Sequence, residues 1–331
     1  MTQCKPSLSR ASFWAAPLLA IAALPLLGCN GSAARRNDAG QAPRTPISKA
    51  AAPAFDADYA WNVLLKQCEF GPRPVGSQAH RKTRDYLVAE MRKHSDTVVE
   101  QDFTYKEMPL TNVIGIFGPA DRAPILLCAH WDTRPTADME IDATARKTPI
   151  MGANDGASGV AVLLALAKSF KAQPPSVGVA VALLDGEDYG DFERDQGVFL
   201  GSRYLAKNLK PVGKPTYGIL LDMIGDKDLT ISREQNSEER ARSVNDKVFR
   251  IASELGHSRN FRDRIGYAIT DDHLPLIAAG IPTIDLIDFD YGPWHTVDDT
   301  VDKCSKTSLK VVGESVGETV YREKKARPAS P

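Results

Sequence analysis

Ile125-Leu126-Leu127-Cys128-Ala129 is an unbroken apolar run that stops abruptly at His130-Trp131-Asp132. Five apolar residues without polar alternation mark a strand buried on both faces, because neither side of it meets water. Cys128 within it reads as a small buried hydrophobe. The run has companions. Val177 to Leu184 and Ile219 to Met223 read as further buried strands and Pro282 to Ile287 as a fourth strand, and Val98 to Phe103 and Asn112 to Phe117 read as earlier strands. Between them the spacing turns helical. Ser77 to His94 carries Ser77 as candidate N-cap, Ala157 to Phe170 follows a Gly-Ala-Ser-Gly turn, Ser243 to Leu255 stops at Gly256, and Ser308 to Tyr321 closes the pattern. Alternating apolar strands and helices predict an α/β fold: three layers, α/β/α, around a central mixed, mostly parallel sheet.

In such sheets the chemistry sits beyond the carboxyl ends of the strands. The residues there are uniform in kind. His130 and Asp132 follow the first buried run, Asp185, Glu187 and Asp188 follow the second, and Asp222 ends the third. Asp155 precedes the apolar helix, and Trp294-His295-Thr296 lies on the loop after the last strand. Each alone has a bland explanation. An aspartate after a strand is usually a cap or turn residue, a lone histidine is more often surface or core than ligand, and Glu187-Asp188 could be a solvated turn. Several such coincidences at one rim point instead to a metal site. Imidazole with hard carboxylates suits zinc, and three protein ligands with an open position is the catalytic arrangement.

His130-x-Asp132, Gly152-Ala153-Asn154-Asp155-Gly156, Glu187-Asp188, Asp222 and His295 resemble, in order, the motif set of the zinc aminopeptidase superfamily. The resemblance runs from about Phe70 to the C-terminal helix. Within that superfamily, four stretches are similar to the bacterial glutaminyl cyclases. They are Gly71-Pro72-Arg73-Pro74-Val75-Gly76-Ser77, His130-Trp131-Asp132-Thr133-Arg134-Pro135, Thr270-Asp271-Asp272-His273, and Trp294-His295-Thr296-Val297-Asp298-Asp299. The resemblance implies zinc held by Asp155, Asp188 and His295, with Glu187 as general acid/base. It implies Asp222 and Asp271 as catalytic residues, either supporting the ligands from behind or partnering the leaving group, and Trp294, Trp131 and Arg134 at the substrate. Asp188 departs from the superfamily, which often has the longer Glu there. Asp132 would orient the His130 imidazole.

The implied reaction converts the N-terminal glutamine of a peptide or protein to pyroglutamate with loss of ammonia, using one zinc as Lewis acid. An aminopeptidase of the same superfamily would activate water between two zinc ions, the second held by His130 and Asp222. Both residues are present, so the sequence leaves one and two ions open; a non-catalytic surface binding protein on the same scaffold is a third reading. Trp294 could instead be a packing tryptophan, and Arg134 a structural ion-pair partner. Ser158 lies outside any Gly-x-Ser-x-Gly elbow. His80, His94 and His257 read as surface residues, and Arg233 to Arg242 as a solvated loop or helix start.

The rest of the sequence bounds the setting. The 331 residues are 43% hydrophobic and 25% charged, enough for one large domain with a real core. Basic and acidic residues number 41 and 42, and no basic run carries interleaved aromatics, which removes the footprint of a nucleic-acid binder. Lys5 and Arg10 precede an apolar stretch, Phe13 to Leu27, that is short and interrupted by Pro17 and Pro25. It ends in Leu26-Leu27-Gly28-Cys29, resembling a lipoprotein signal over residues 1–28, with a plain secretory signal as the alternative. Lipid on Cys29 would be the one membrane attachment of an exported, envelope-anchored protein, and Asn30 favours the outer membrane facing the periplasm. Residues 29–54 read as a flexible tether, 55–322 as the zinc-dependent catalytic domain and 323–331 as a disordered tail. Cys68, Cys128 and Cys304 remain, and their pairing is open.

Overall fold

Three apolar runs become central strands because a strand with no polar face has to be covered on both sides, and a fourth run joins them although Thr283 and Asp285 interrupt it. β3 (Ile125–His130), β4 (Val179–Leu184), β5 (Tyr217–Asp222) and β8 (Thr283–Ile287) have every residue buried. They pair in parallel in the order β4-β3-β5-β8. β1 (Thr97–Tyr105) and β2 (Met108–Phe117) form an antiparallel hairpin that joins the β4 edge, giving a mixed six-stranded sheet. This is the expected α/β architecture, seen in a computed structural model that describes residues 51–119 and 123–323. The signal segment, residues 29–50 of the tether and residues 324–331 lie outside the described residues. Among those described, no helix is long and apolar enough to cross a membrane.

Period-two alternation sorts each strand's side chains to opposite faces. Leu127 and Ala129 face a layer made by α1 (Ala57–Glu69), α2 (Gln78–His94), α3 (Ala157–Ala172), α5 (Gln235–Glu254) and α7 (Lys306–Arg322). Leu126 and Cys128 face the thinner layer of α4 (Leu200–Lys207) and α6 (His273–Ala278). Each fully buried Leu or Val contributes roughly 1.5–3 kcal/mol of burial, so the larger face dominates stability. α3 approaches the sheet so closely that a Cβ on Gly159 would sit 2.2 Å from the Leu221 carbonyl oxygen. That contact brings the helix start, with Asp155 just before it, against the end of β5.

Several helix starts are those the sequence predicts. Ser77 caps α2 by accepting from the His80 amide at 3.0 Å. The charged Arg233 to Arg242 stretch proves to be a helix start, with Glu234 capping α5 at Asn236 and Ser237. Other elements go beyond the sequence reading. They are α1, the short α4 and α6, and a small parallel pair, β6 (Ile231–Arg233) with β7 (Phe261–Ile265). The end of the expected tether is also tied down: the Ala51 and Ala52 amides donate to Glu318 on α7.

Candidate metal centre and its cavity

His130 and Asp222 are the last residues of β3 and β5, and Glu187 and Asp188 follow β4 by three and four residues. The parallel register brings these ends to one rim, where Asp155 enters from the start of α3. His295 arrives from the long loop after β8, with a positive φ of 53° that is uncommon away from glycine. Its Nε2 lies 3.4 Å from Asp188 Oδ1 and 3.6 Å from Asp155 Oδ2. A tetrahedral zinc with bonds of about 2.0–2.1 Å spaces its ligand atoms by about 3.3 Å, so Asp155, Asp188 and His295 fit that ion. Asp188 Oδ2 is buried without a hydrogen-bond partner, which suits a carboxylate whose natural partner is a cation.

A second set touches the first. His130 Nε2 lies 3.1 Å from Asp155 Oδ1 and 3.2 Å from Asp222 Oδ1, so Asp155 stands between two imidazoles. The electrostatics follow from that crowding. Burial works against charge on His295, yet Asp188, Asp138 and Asp155 lift it to about 10. Burial also opposes charge on His130, and Asp132, Asp155 and Asp222 overcome it. Glu187 is pushed well above the usual carboxyl range, first by burial and then by Asp188, with His130 pulling the other way. A buried carboxyl group whose charge is penalised in this way, facing a cavity, has the character of a general acid/base.

The rim opens on a cavity of about 790 Å³ lined by Glu187, Asp222, Asp271, Arg134 and, on its apolar side, Ile287, Phe289 and Trp294. Trp294 stacks on His295 with centroids 4.1 Å apart and an interplanar angle of 28°, and Phe289 packs behind it at 4.9 Å. Arg134 lines the cavity but is engaged: it donates to Asp138 at 2.5 Å, to the Asp188 carboxylate at 3.3 Å and to the Gly190 carbonyl at 3.1 Å. Of its two readings the ion pair describes these contacts.

Three expectations are corrected. Trp131 is fully buried and does not line the cavity; as the next residue after His130 it points to the opposite face, where it stacks on His80 at 4.3 Å. His80 is therefore no surface residue, and its Nε2 meets Asp185 Oδ1 at 2.7 Å. His94 and His257 are only half-buried, and pair with Tyr59 and Glu314. Asp132 lies 3.7 Å from His130 Nδ1, beyond hydrogen-bond reach. Its Oδ1 accepts instead from the Gly186 and Glu187 amides at 2.9 and 3.0 Å, and its Oδ2 from Asp188 at 3.2 Å. Asp132 thus shapes the loop that presents Glu187 and Asp188. Asp299 does the same for Asp155, accepting from its amide at 3.1 Å and from that of Asn154 at 2.9 Å. Asp138, which the sequence did not single out, lies 3.0 Å from His295 Nδ1 and holds the ring from behind.

Losing Asp132 should therefore be costly. Asp132→Ala is expected to lower the unfolding free energy in urea by about 3 kcal/mol, since three amides lose a charged acceptor together. An unchanged urea midpoint would show that the loop holds its shape without the clamp.

The sequence profile of Peptidase family M28 matches residues 112–320, which include every residue of this rim. This chain belongs to peptidase family M28. Among solved structures, the M28 chain is 39% identical to Bacteroides thetaiotaomicron glutaminyl cyclase bound to N-acetylhistamine, with a TM-score of 0.78 over 82% of this chain and 100% of that one. It is 36% identical to a Zn-dependent exopeptidase from Parabacteroides distasonis, with a TM-score of 0.78 over 82% and 100%. Glutaminyl-peptide cyclotransferase of Bos taurus is 25% identical over 276 residues, 72% of this chain and 74% of that protein. The resemblance to bacterial glutaminyl cyclases is borne out, and the M28 family to which the chain belongs is a zinc-dependent enzyme family with both cyclase and exopeptidase members.

Proposed function

We propose that this protein is a glutaminyl-peptide cyclotransferase acting on peptide or protein N-termini. The observation that carries the reading is Glu187, a buried carboxyl group that faces the cavity beside the Asp155, Asp188 and His295 set. Zinc bound by those three residues would supply Lewis acidity toward the substrate's γ-carbonyl oxygen. Cyclisation brings its own nucleophile. The α-amine forms the new C–N bond, and the bond to the side-chain nitrogen breaks. Glu187 takes the proton that the attacking amine sheds and returns it to the departing nitrogen, which leaves as ammonia. Trp294 and Phe289 provide an apolar wall against which the glutamine side chain folds over its own amine. Asp222 and Asp271, on the same cavity, accept N–H groups of the substrate and the leaving group.

The His130 and Asp222 contacts with Asp155 support a second reading, a two-zinc exopeptidase. Purified chain is offered a Gln-initiated and a Leu-initiated peptide while ammonia, free amino acid and zinc per chain are measured. Ammonia with about one zinc is expected. Free leucine with about two zinc ions would replace the cyclase by the peptidase, and neither product with zinc bound would leave a binding protein.

A further inference from the structure

The turn from Asp185 to Asp188 carries two members of the rim, and its root is held by a buried pair that cyclisation, as derived above, does not use. Asp185, the first residue after β4, is fully buried. Its Oδ2 accepts the Thr111 amide of β2 at 2.7 Å, and its own amide donates to Asn112 Oδ1 at 3.0 Å. Its Oδ1 meets His80 Nε2 of α2 at 2.7 Å. A carboxylate only accepts, so the proton in this contact sits on Nε2. His80 is itself 3% exposed, which shields the contact from water.

His80 also closes a ring. Its imidazole stacks on Trp131 with centroids 4.3 Å apart and an interplanar angle of 21°. The Trp131 indole donates to the Thr111 carbonyl at 3.3 Å, and Thr111 returns to Asp185 through its amide. One imidazole therefore touches both the residue beside His130 and the root of the turn that carries Glu187. Asp188 has a separate hold, because Arg134 donates to its carboxylate at 3.3 Å. Without His80, Asp185 Oδ1 would be a buried anion lacking its donor, relieved only by taking up a proton or by turning away from Thr111. Either change loosens the turn two residues before Glu187.

We propose that His80, acting through Asp185, is a positioning residue that fixes the turn presenting Glu187 to substrate. The kinetic readout rests on the cyclase reading; the hydrogen bond does not. Glutamine keeps a donor at about the reach of Nε2, whereas leucine fills the space without one. His80→Gln should keep kcat within ~3-fold, and His80→Leu should lose ~30-fold in kcat at unchanged KM. Zinc per chain should stay at the wild-type level in both variants, because Asp188 keeps Arg134 and Asp132. A Leu variant with near-normal kcat, or a Gln variant as impaired as the Leu variant, overturns the proposal. So does zinc lost in step with kcat, since the pair would then serve the ion rather than Glu187. Imidazole nitrogen chemical shifts of the wild type, assigned against His80→Gln, serve if the Leu variant fails to fold. A proton on His80 Nε2 is expected, and a bare Nε2 overturns the proposal. A wild type that releases no ammonia defeats the cyclase reading alone, and the nitrogen shifts still decide the contact with Asp185.

Discussion

Glu187→Gln should lower kcat on a Gln-initiated peptide by about 10²–10⁴-fold while zinc content and unfolding midpoint stay at or above those of the wild type. Glutamine has the size and polarity of glutamate but cannot accept and return a proton, so the chemical step suffers and the shape of the cavity does not. The stability half of this expectation comes from the surroundings. Glu187 is buried with Asp188 next to it, and both features penalise its charge. The neighbouring amide of Glu187 is already held by Asp132, so the loop does not depend on the side chain being exchanged. A variant that cyclises at near-normal rate would remove Glu187 from the proton path. One that also loses zinc would mean that its carboxylate helps bind the ion.

Removing zinc with a chelator should abolish turnover and also lower the unfolding midpoint, with both restored by added zinc. Asp155, Asp188 and Asp222 converge with Glu187 within one buried rim, and their mutual repulsion is what a cation relieves. Burial raises the Asp188 and Asp222 carboxyls above their usual range, and the neighbouring acids add to it. At a free zinc concentration a thousandfold above Kd the stabilisation is about 4 kcal/mol, large enough to be plain in a thermal melt. Magnesium should restore less, because His295 contributes an imidazole and magnesium prefers oxygen donors. An unfolding midpoint indifferent to chelator and zinc would sink the metal centre. His130→Ala separates one ion from two: it should halve the zinc count only if the second set is filled.

Much of this was legible in the chain itself. Three of the four buried strands announced themselves because a strand without a polar face has no alternation to disguise it, and their ends therefore located the rim. The family resemblance implied Asp155, Asp188 and His295, whose ligand atoms the structure brings together. α6 could not be read from the chain: it is six residues long and contains Pro275, so tertiary contacts rather than local preference hold it in place.

The sequence by itself determined the sheet and the rim, since each depends on the character of residues close together along the chain, and the family resemblance implied the donor set. Only the tertiary structure decided that Trp131 turns inward to His80 and that Asp132 grips three backbone amides rather than an imidazole. It alone brought Asp138 behind His295. Those outcomes are contacts between segments far apart in the chain, and a side chain's partner there is set by how layers and loops meet in space, which no local pattern encodes.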